Sequence, residues 1–253
     1  MRNSKHGLKA LALAMMAAAL GTMAFVASAQ AQTHTETLHA LTLHAATLNP
    51  NPLTNGGTLG EFKIGLGAAL LAAIAAEQLG EGELLVAARD LVIKCKELHL
   101  GAGSHINNST DAKVVVEFLG CLAFSHSTLA HLTGCVTKEL GTIKASALAL
   151  PILHGGQLFV LFEPLEGTQF AVVSFKPNVG CVLPLNNPVT GAVVARVDQL
   201  EAVVQLLLFD EAIQLLNGDV LKYGGLANTA YLKGHVNVAL TGAPHENLKL
   251  GVH

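Results

Sequence analysis

Beyond residue 83 the apolar residues of this chain recur at every second position, and Gly, Asn and Pro cut them into short runs. A period of two sends alternate side chains to opposite faces of an extended backbone, so it selects strands over helices. In the block LLVAARDLVIKCKELHL at 84–100, Leu91, Ile93 and Cys95 share one face while Lys94 and Lys96 share the other. Residues 113–118 repeat the device, with Val114, Val116 and Phe118 alternating against Val115 and Glu117. Further strands are expected over 141–150, 157–162, 169–175, 192–197, 202–209, 220–223 and 231–240. Turn chemistry separates them, as in Gly101-Ala102-Gly103, His154-Gly155-Gly156 and Asn186-Asn187-Pro188. The expected fold is all-β, an antiparallel sandwich or barrel-like single domain over 59–253. No helical periodicity alternates with the strands, which disfavours a parallel sheet, and no exact repeat supports a propeller or solenoid. Residues 200–216 are ambiguous, because Val203, Leu206, Leu207 and Ile213 also fit one face of a helix.

Upstream the signals differ. Residues 64–76 form an unbroken apolar run of 13 residues, too short to span a bilayer. Ala and Leu favour a helix there, Gly65 and Gly67 oppose it, and the reading leans to a short helix. Residues 30–58 read as a flexible linker, since Asn49-Pro50-Asn51-Pro52 and Asn55-Gly56-Gly57 favour turns and extended chain. His34, His39 and His44 recur every five residues, a spacing that gathers them on neither a helical nor a strand face.

Residues 1–29 read as a secretory signal peptide. Arg2, Lys5 and Lys9 precede an apolar stretch over 10–26, and Ala27-Ser28-Ala29 supplies the small residues that signal peptidase selects. The expected cut lies between Ala29 and Gln30, with the bond after Ala31 as its rival. The expected address is the periplasm or the extracellular space, with no stable transmembrane anchor after cleavage.

Cleavage would remove three basic residues and no acidic one, leaving 12 basic against 18 acidic side chains, so that the formal charge falls from −3 to −6. No run of Lys or Arg remains, which argues against nucleic acid and against anionic membrane surfaces as partners. With 51% hydrophobic residues, no Trp and only Tyr223 and Tyr231, the core must be large and aliphatic. The same poverty in aromatics leaves little from which to build the girdles of an outer-membrane barrel.

Four cysteines follow the signal: Cys95, Cys121, Cys135 and Cys181. In an oxidising compartment an even number reads as disulfides. No Cys-x-x-Cys pair exists, so thioredoxin-like chemistry and the common zinc knuckles drop out. Three connectivities remain open on spacing alone.

Catalytic motifs are scarce. There is no Gly-x-Ser-x-Gly elbow, no Gly-Lys dipeptide for a P-loop, and His245-Glu246-Asn247-Leu248-Lys249 lacks the second His of a zinc protease. His126 and His131, with Ser125 and Ser127, lie between two cysteines and read as a polar loop. Asp210-Glu211 reads as a turn or solvated edge. Asn107 and Asn108 each begin a glycosylation sequon and read as a plain turn. No catalytic, cofactor-binding or metal-ligating residue is assigned.

The blocks GEGELLVAARDLVIKC (80–95), FLGCLAF (118–124), TGCVTKELGTIKASALAL (133–150), CVLPLNNPVTGAVVARV (181–197) and ALTGAPHENLKLGVH (239–253) resemble a group of exported β-rich bacterial proteins with similar cysteine placement and no assigned activity. The resemblance implies one β-rich domain with cysteines tied across strands. Members of the group often carry more cysteines and an aromatic near the end, where this chain has Leu250. The pairing expected here is Cys121 with Cys135, closing a local loop, and Cys95 with Cys181. The expected role is an exported, non-catalytic binding or structural protein with an extracellular or envelope partner. The alternatives are a secreted hydrolase of unfamiliar type and an envelope-associated β-barrel.

Overall fold

The computed structural model describes residues 57–253 apart from 66, 69, 70, 179, 200, 218–220, 226 and 227. The signal cleavage residues Ala29 and Gln30 and the linker histidines His34, His39 and His44 lie outside the described residues. The elements, in chain order, are β1 (Thr58–Leu59), β2 (Phe62–Ile64), β3 (Gly67–Ala68), β4 (Ala72–Val86), β5 (Leu91–Cys95), β6 (Glu97–Leu100), β7 (His105–Ile106), β8 (Ala112–Leu119), β9 (Leu122–Ser125), β10 (Ile143–His154), β11 (Gln157–Pro164), β12 (Gln169–Ser174), β13 (Asn186–Gly191), β14 (Val193–Val197), β15 (Glu201–Ala202), β16 (Val204–Phe209), helix α1 (Glu211–Asn217), β17 (Leu221–Tyr223), β18 (Thr229–Thr241) and β19 (Leu250–Val252).

The expected all-β class is the observed one. Eight strands close an antiparallel barrel in the order β4, β18, β16, β14, β11, β10, β8 and β7, with β7 pairing back to β4. Period-two alternation fills the inside: Val114, Ala147, Val160, Phe162, Val193 and Leu207 all belong to one buried cluster. A small sheet of β15, β19, β2 and β3 lies across one mouth, bringing Phe62, Leu250 and Val252 against the barrel interior.

The long strands β4, β10 and β18 outrun this ring and build a second lobe. The far half of β18 pairs with β17, and β13 and β12 continue the sheet back to β10, while β5 and β9 extend it beyond β4. The two lobes meet at a waist where β18 breaks register between Lys233 and His235. Gly234 sits there at φ +147°, and a Cβ on it would stand 3.4 Å from the Cα of Gly82 on β4. Only glycine adopts that backbone at so close an approach.

Two expectations about secondary structure, and one about the disulfides, need correction. No described residue of 64–76 is helical: β2 ends at Ile64, Gly65 turns at φ +58°, and Ala72 to Ala76 run in β4. Helix propensity lost to pairing, because Ala73 to Ala76 each face a residue of β18 from Thr241 back to Val238. Residues 200–216 contain both readings, strand β16 followed by α1. Asp210 caps that helix, its carboxylate accepting the Ala212 N–H at 2.7 Å, and Glu211 pairs with Lys233 at 3.2 Å.

The disulfides are Cys95–Cys121 and Cys135–Cys181, not the pairing expected from the chain. Cys95 ends β5 and Cys121 precedes β9, and these strands are antiparallel neighbours with Lys94 opposite Leu122. The intervening β6, β7 and β8 pair elsewhere, so residues 26 apart become adjacent. Both pairs indicate an oxidising, non-cytoplasmic environment. No helix among the described residues is long and apolar enough to cross a membrane.

Candidate functional site

Both disulfides lie at the outer end of the second lobe, where they tie three loops together. Residues 133–138 cross from β9 to the end of β12. There Thr137 bridges to Phe175, the Lys138 N–H donates to the Ser174 carbonyl at 2.8 Å, and the Lys176 N–H donates to Val136 at 2.7 Å. The Phe175 N–H reaches Leu185 at 2.8 Å, closing the 176–185 loop. Gly134 backs directly onto Gly180; a Cβ there would lie 2.4 Å from the Gly180 carbonyl oxygen, so no larger residue fits without moving a backbone.

The third loop is the tight turn at 138–141. The Gly141 N–H donates to Lys138 at 3.0 Å, and the Gly141 carbonyl accepts the Cys121 N–H at 2.9 Å. Glu139 and Leu140 both occupy left-handed backbone, at φ 50° and 57°. Each such non-glycine residue costs about 1–2 kcal/mol. The turn holds Leu140 out at 93% exposure. Three of the four cysteines are followed by an exposed apolar residue: Leu122 after Cys121, Val136 after Cys135, and Val182 after Cys181.

A groove of about 670 Å³ opens beside this end. Its cause is a parting of strands. The later half of β10 pairs with β11, but its first half meets β12 only at Ala145 and Ala171. Lys144, Ser146 and Thr142 line one wall, Gln169 and Ser174 the other, and Lys138, Glu139 and Glu166 stand at its ends. Glu117 accepts a 2.9 Å contact from Lys144 and raises that ammonium's pKa. The groove is thus a polar cleft with both signs of charge on its rim.

The interior is a different environment. Cavities of about 100 and 40 Å³ remain in the two lobes, both walled by aliphatic and Phe side chains. Gln205, 1% exposed, donates through Nε2 to the Leu250 carbonyl at 2.6 Å, and its Oε1 has no partner. Tyr223 is equally buried with its hydroxyl unpartnered, and burial pushes its pKa up.

The polar loop expected around His126 and His131 has a structural chemistry. Asp90 accepts the Ser125 hydroxyl at 2.8 Å, the Ser127 N–H at 2.6 Å and the Ser127 hydroxyl at 3.1 Å. The Ser125 hydroxyl in turn accepts from Thr128 at 2.8 Å, so its donor and acceptor capacity is committed to the turn. The bond from Ser125, then those from Ser127, hold the Asp90 carboxyl below its usual range. His131 packs its ring on Phe124, 5.3 Å between centroids. At the two sequons, Asn107 and Asn108 donate their amides to Asp111, and the Asn108 oxygen accepts Thr110 and Asp111 N–H groups. His245 and Glu246 fold into a turn onto Gly242.

Sequence reasoning located the cysteines but not the groove, which arises from strand divergence, nor Gln205. The Cys-then-apolar pattern was present in the sequence and carried the signal for the clamped end. No protein-family model, no curated protein and no solved structure matches the chain.

Proposed function

We propose that this is an exported bacterial protein with a binding role at the cell envelope, acting through the disulfide-clamped end and the groove beside it rather than through catalysis. The observation that carries the reading is the clamped platform. Two disulfides and a backbone strained at Glu139 and Leu140 hold apolar side chains out in water. Strain of this kind persists only where the surroundings over-determine it, and it concentrates at binding sites. Exposed apolar residues on rigid loops are what an interaction surface requires.

Barrel polarity also supports the reading over that of an envelope-spanning barrel. Lipid-spanning barrels face apolar residues outward and polar residues inward. Here the main apolar cluster fills the inside, Lys113 and Glu117 on β8 and His235 and Asn237 on β18 alternate with the inward-facing residues, and the outward Leu150, Ile152, Phe159, Leu161 and Val194 are buried in a second cluster with Ile213 packed against it. The resemblance to exported β-rich bacterial proteins and the N-terminal export signal supply the address.

Capture from cell-envelope extracts tests the reading. The mature protein should retain an envelope component that a Lys144→Glu, Ser146→Glu groove variant or a Leu140→Asp, Val182→Asp variant loses. Turnover of substrates by the purified protein in a broad hydrolase panel would overturn it.

A further inference from the structure

We propose that the partner of the clamped end is the surface of an anionic phospholipid bilayer, with Leu140 and Val182 entering the interfacial layer and Lys96, Lys138 and Lys176 facing the phosphates. The inference rests on the binding role proposed above and names its partner. Leu140 and Val182 are the most exposed large apolar side chains among the described residues, at 93% and 94%. They stand on separate loops, each fixed within two residues of a bonded cysteine or of a backbone bond to one. Leu122, Val136 and Leu185, on the same clamped segments, are also exposed.

Area argues against a rigid protein partner. A stable protein interface takes about 800 Å² and roughly 20–30 residues from each side. Five projecting apolar residues fall well short of that. A bilayer asks for no complementary shape, and it rewards single apolar side chains that reach the boundary of the acyl chains.

Charge argues for phosphate headgroups. Lys94 is matched by Glu83 at 2.7 Å and Lys144 by Glu117 at 2.9 Å. Glu97 turns to His99 at 3.1 Å. Among the described residues Lys96, Lys138 and Lys176 have no ion pair, against the carboxylates of Glu139 on the projecting turn and of Glu97 beside Lys96. Lys96 lies against Gly120, beside Cys121, and the Lys176 N–H bonds to Val136, so these cations stand on the same clamped segments. The formal charge of −6 on the mature chain is an average that hides this local excess. Cations this close to an anionic leaflet are attracted within a Debye length, and salt weakens the attraction.

Co-sedimentation with phosphatidylcholine vesicles, with and without phosphatidylglycerol, tests the proposal on the oxidised mature protein. The protein should pellet with phosphatidylglycerol-containing vesicles, less with pure phosphatidylcholine, and less again as salt rises. Leu140→Asp and Val182→Asp should each weaken binding by about tenfold or more. Lys138→Glu, Lys176→Glu should abolish the preference for anionic lipid. Asp is tolerated in left-handed backbone, and an unchanged melting temperature would confirm that the variants are folded. Leu129→Asp, at the far end of β9 and 65% exposed, should bind as the wild type does. Failure of the wild type to bind either vesicle, or binding unmoved by the Leu140 and Val182 changes, overturns the proposal. Should the same variants still lose a protein from envelope extracts, the lipid partner falls and the binding role stands. Should they lose nothing in either assay, both fall.

Discussion

The hydroxyl of Thr137 donates to the carbonyl oxygen of Cys121 at 2.7 Å, out of contact with water. Thr137 is two residues from Cys135, so this one bond joins the segment of one disulfide to the segment of the other. Thr137→Val keeps the shape and removes the donor. It should cost about 1–2 kcal/mol, because the buried carbonyl loses a partner it cannot replace with water. Urea unfolding, with the m-value unchanged, checks this.

The observed pairing predicts how much each bridge contributes. In the chain-entropy model, closing the 26-residue separation contributes about 3.5 kcal/mol and the 46-residue separation about 4 kcal/mol. Replacing Cys135 and Cys181 by Ala should therefore destabilise slightly more than replacing Cys95 and Cys121. Non-reducing peptide mapping should recover Cys95 joined to Cys121.

Leu140 predicts a conflict between stability and binding. Leu140→Gly removes left-handed strain and gives up almost no burial, since the side chain is 93% exposed. Relief of about 1–2 kcal/mol is offset in part by the greater freedom of glycine in the unfolded chain. The net effect should be a gain of about 0.5–1 kcal/mol in thermal or urea unfolding. Binding to anionic vesicles should fall in the same variant.

The turn at Asp90 should respond to acid. Its carboxyl lies below the ordinary value of 3.8 because it accepts from Ser125 and Ser127. A lowered folded pKa means a contribution that is complete above the unfolded value and is lost as pH falls through the folded one. Amide exchange at Ser127 should accelerate below about pH 4, beyond its intrinsic pH dependence, while exchange in β4 and β18 stays slow. Asp90→Asn should remove that acid step.

Strand positions after residue 83 were legible where apolar and polar residues alternate, as Leu91, Ile93 and Cys95 against Lys94 show, although Val92 on the Lys94 face is buried too. The run at 64–76 was illegible for the opposite reason. It is apolar at every position, and alanine propensity outvoted the strand that β18 imposes on it. Gln205 could not be foreseen as a core residue, because its burial depends on β19 arriving overhead with the Leu250 carbonyl.

The clamped end divides the same way. The sequence by itself determined strand-period patterning, an even set of cysteines and an apolar residue after three of them. Those are local properties, carried by neighbours a few residues apart. Tertiary structure alone decided that Cys95 meets Cys121, that the two lobes part at Gly234, and that β10 and β12 separate into a groove. Each depends on which strands lie side by side once the barrel closes, and pairing between strands distant in the chain leaves no mark in the spacing of residues along it.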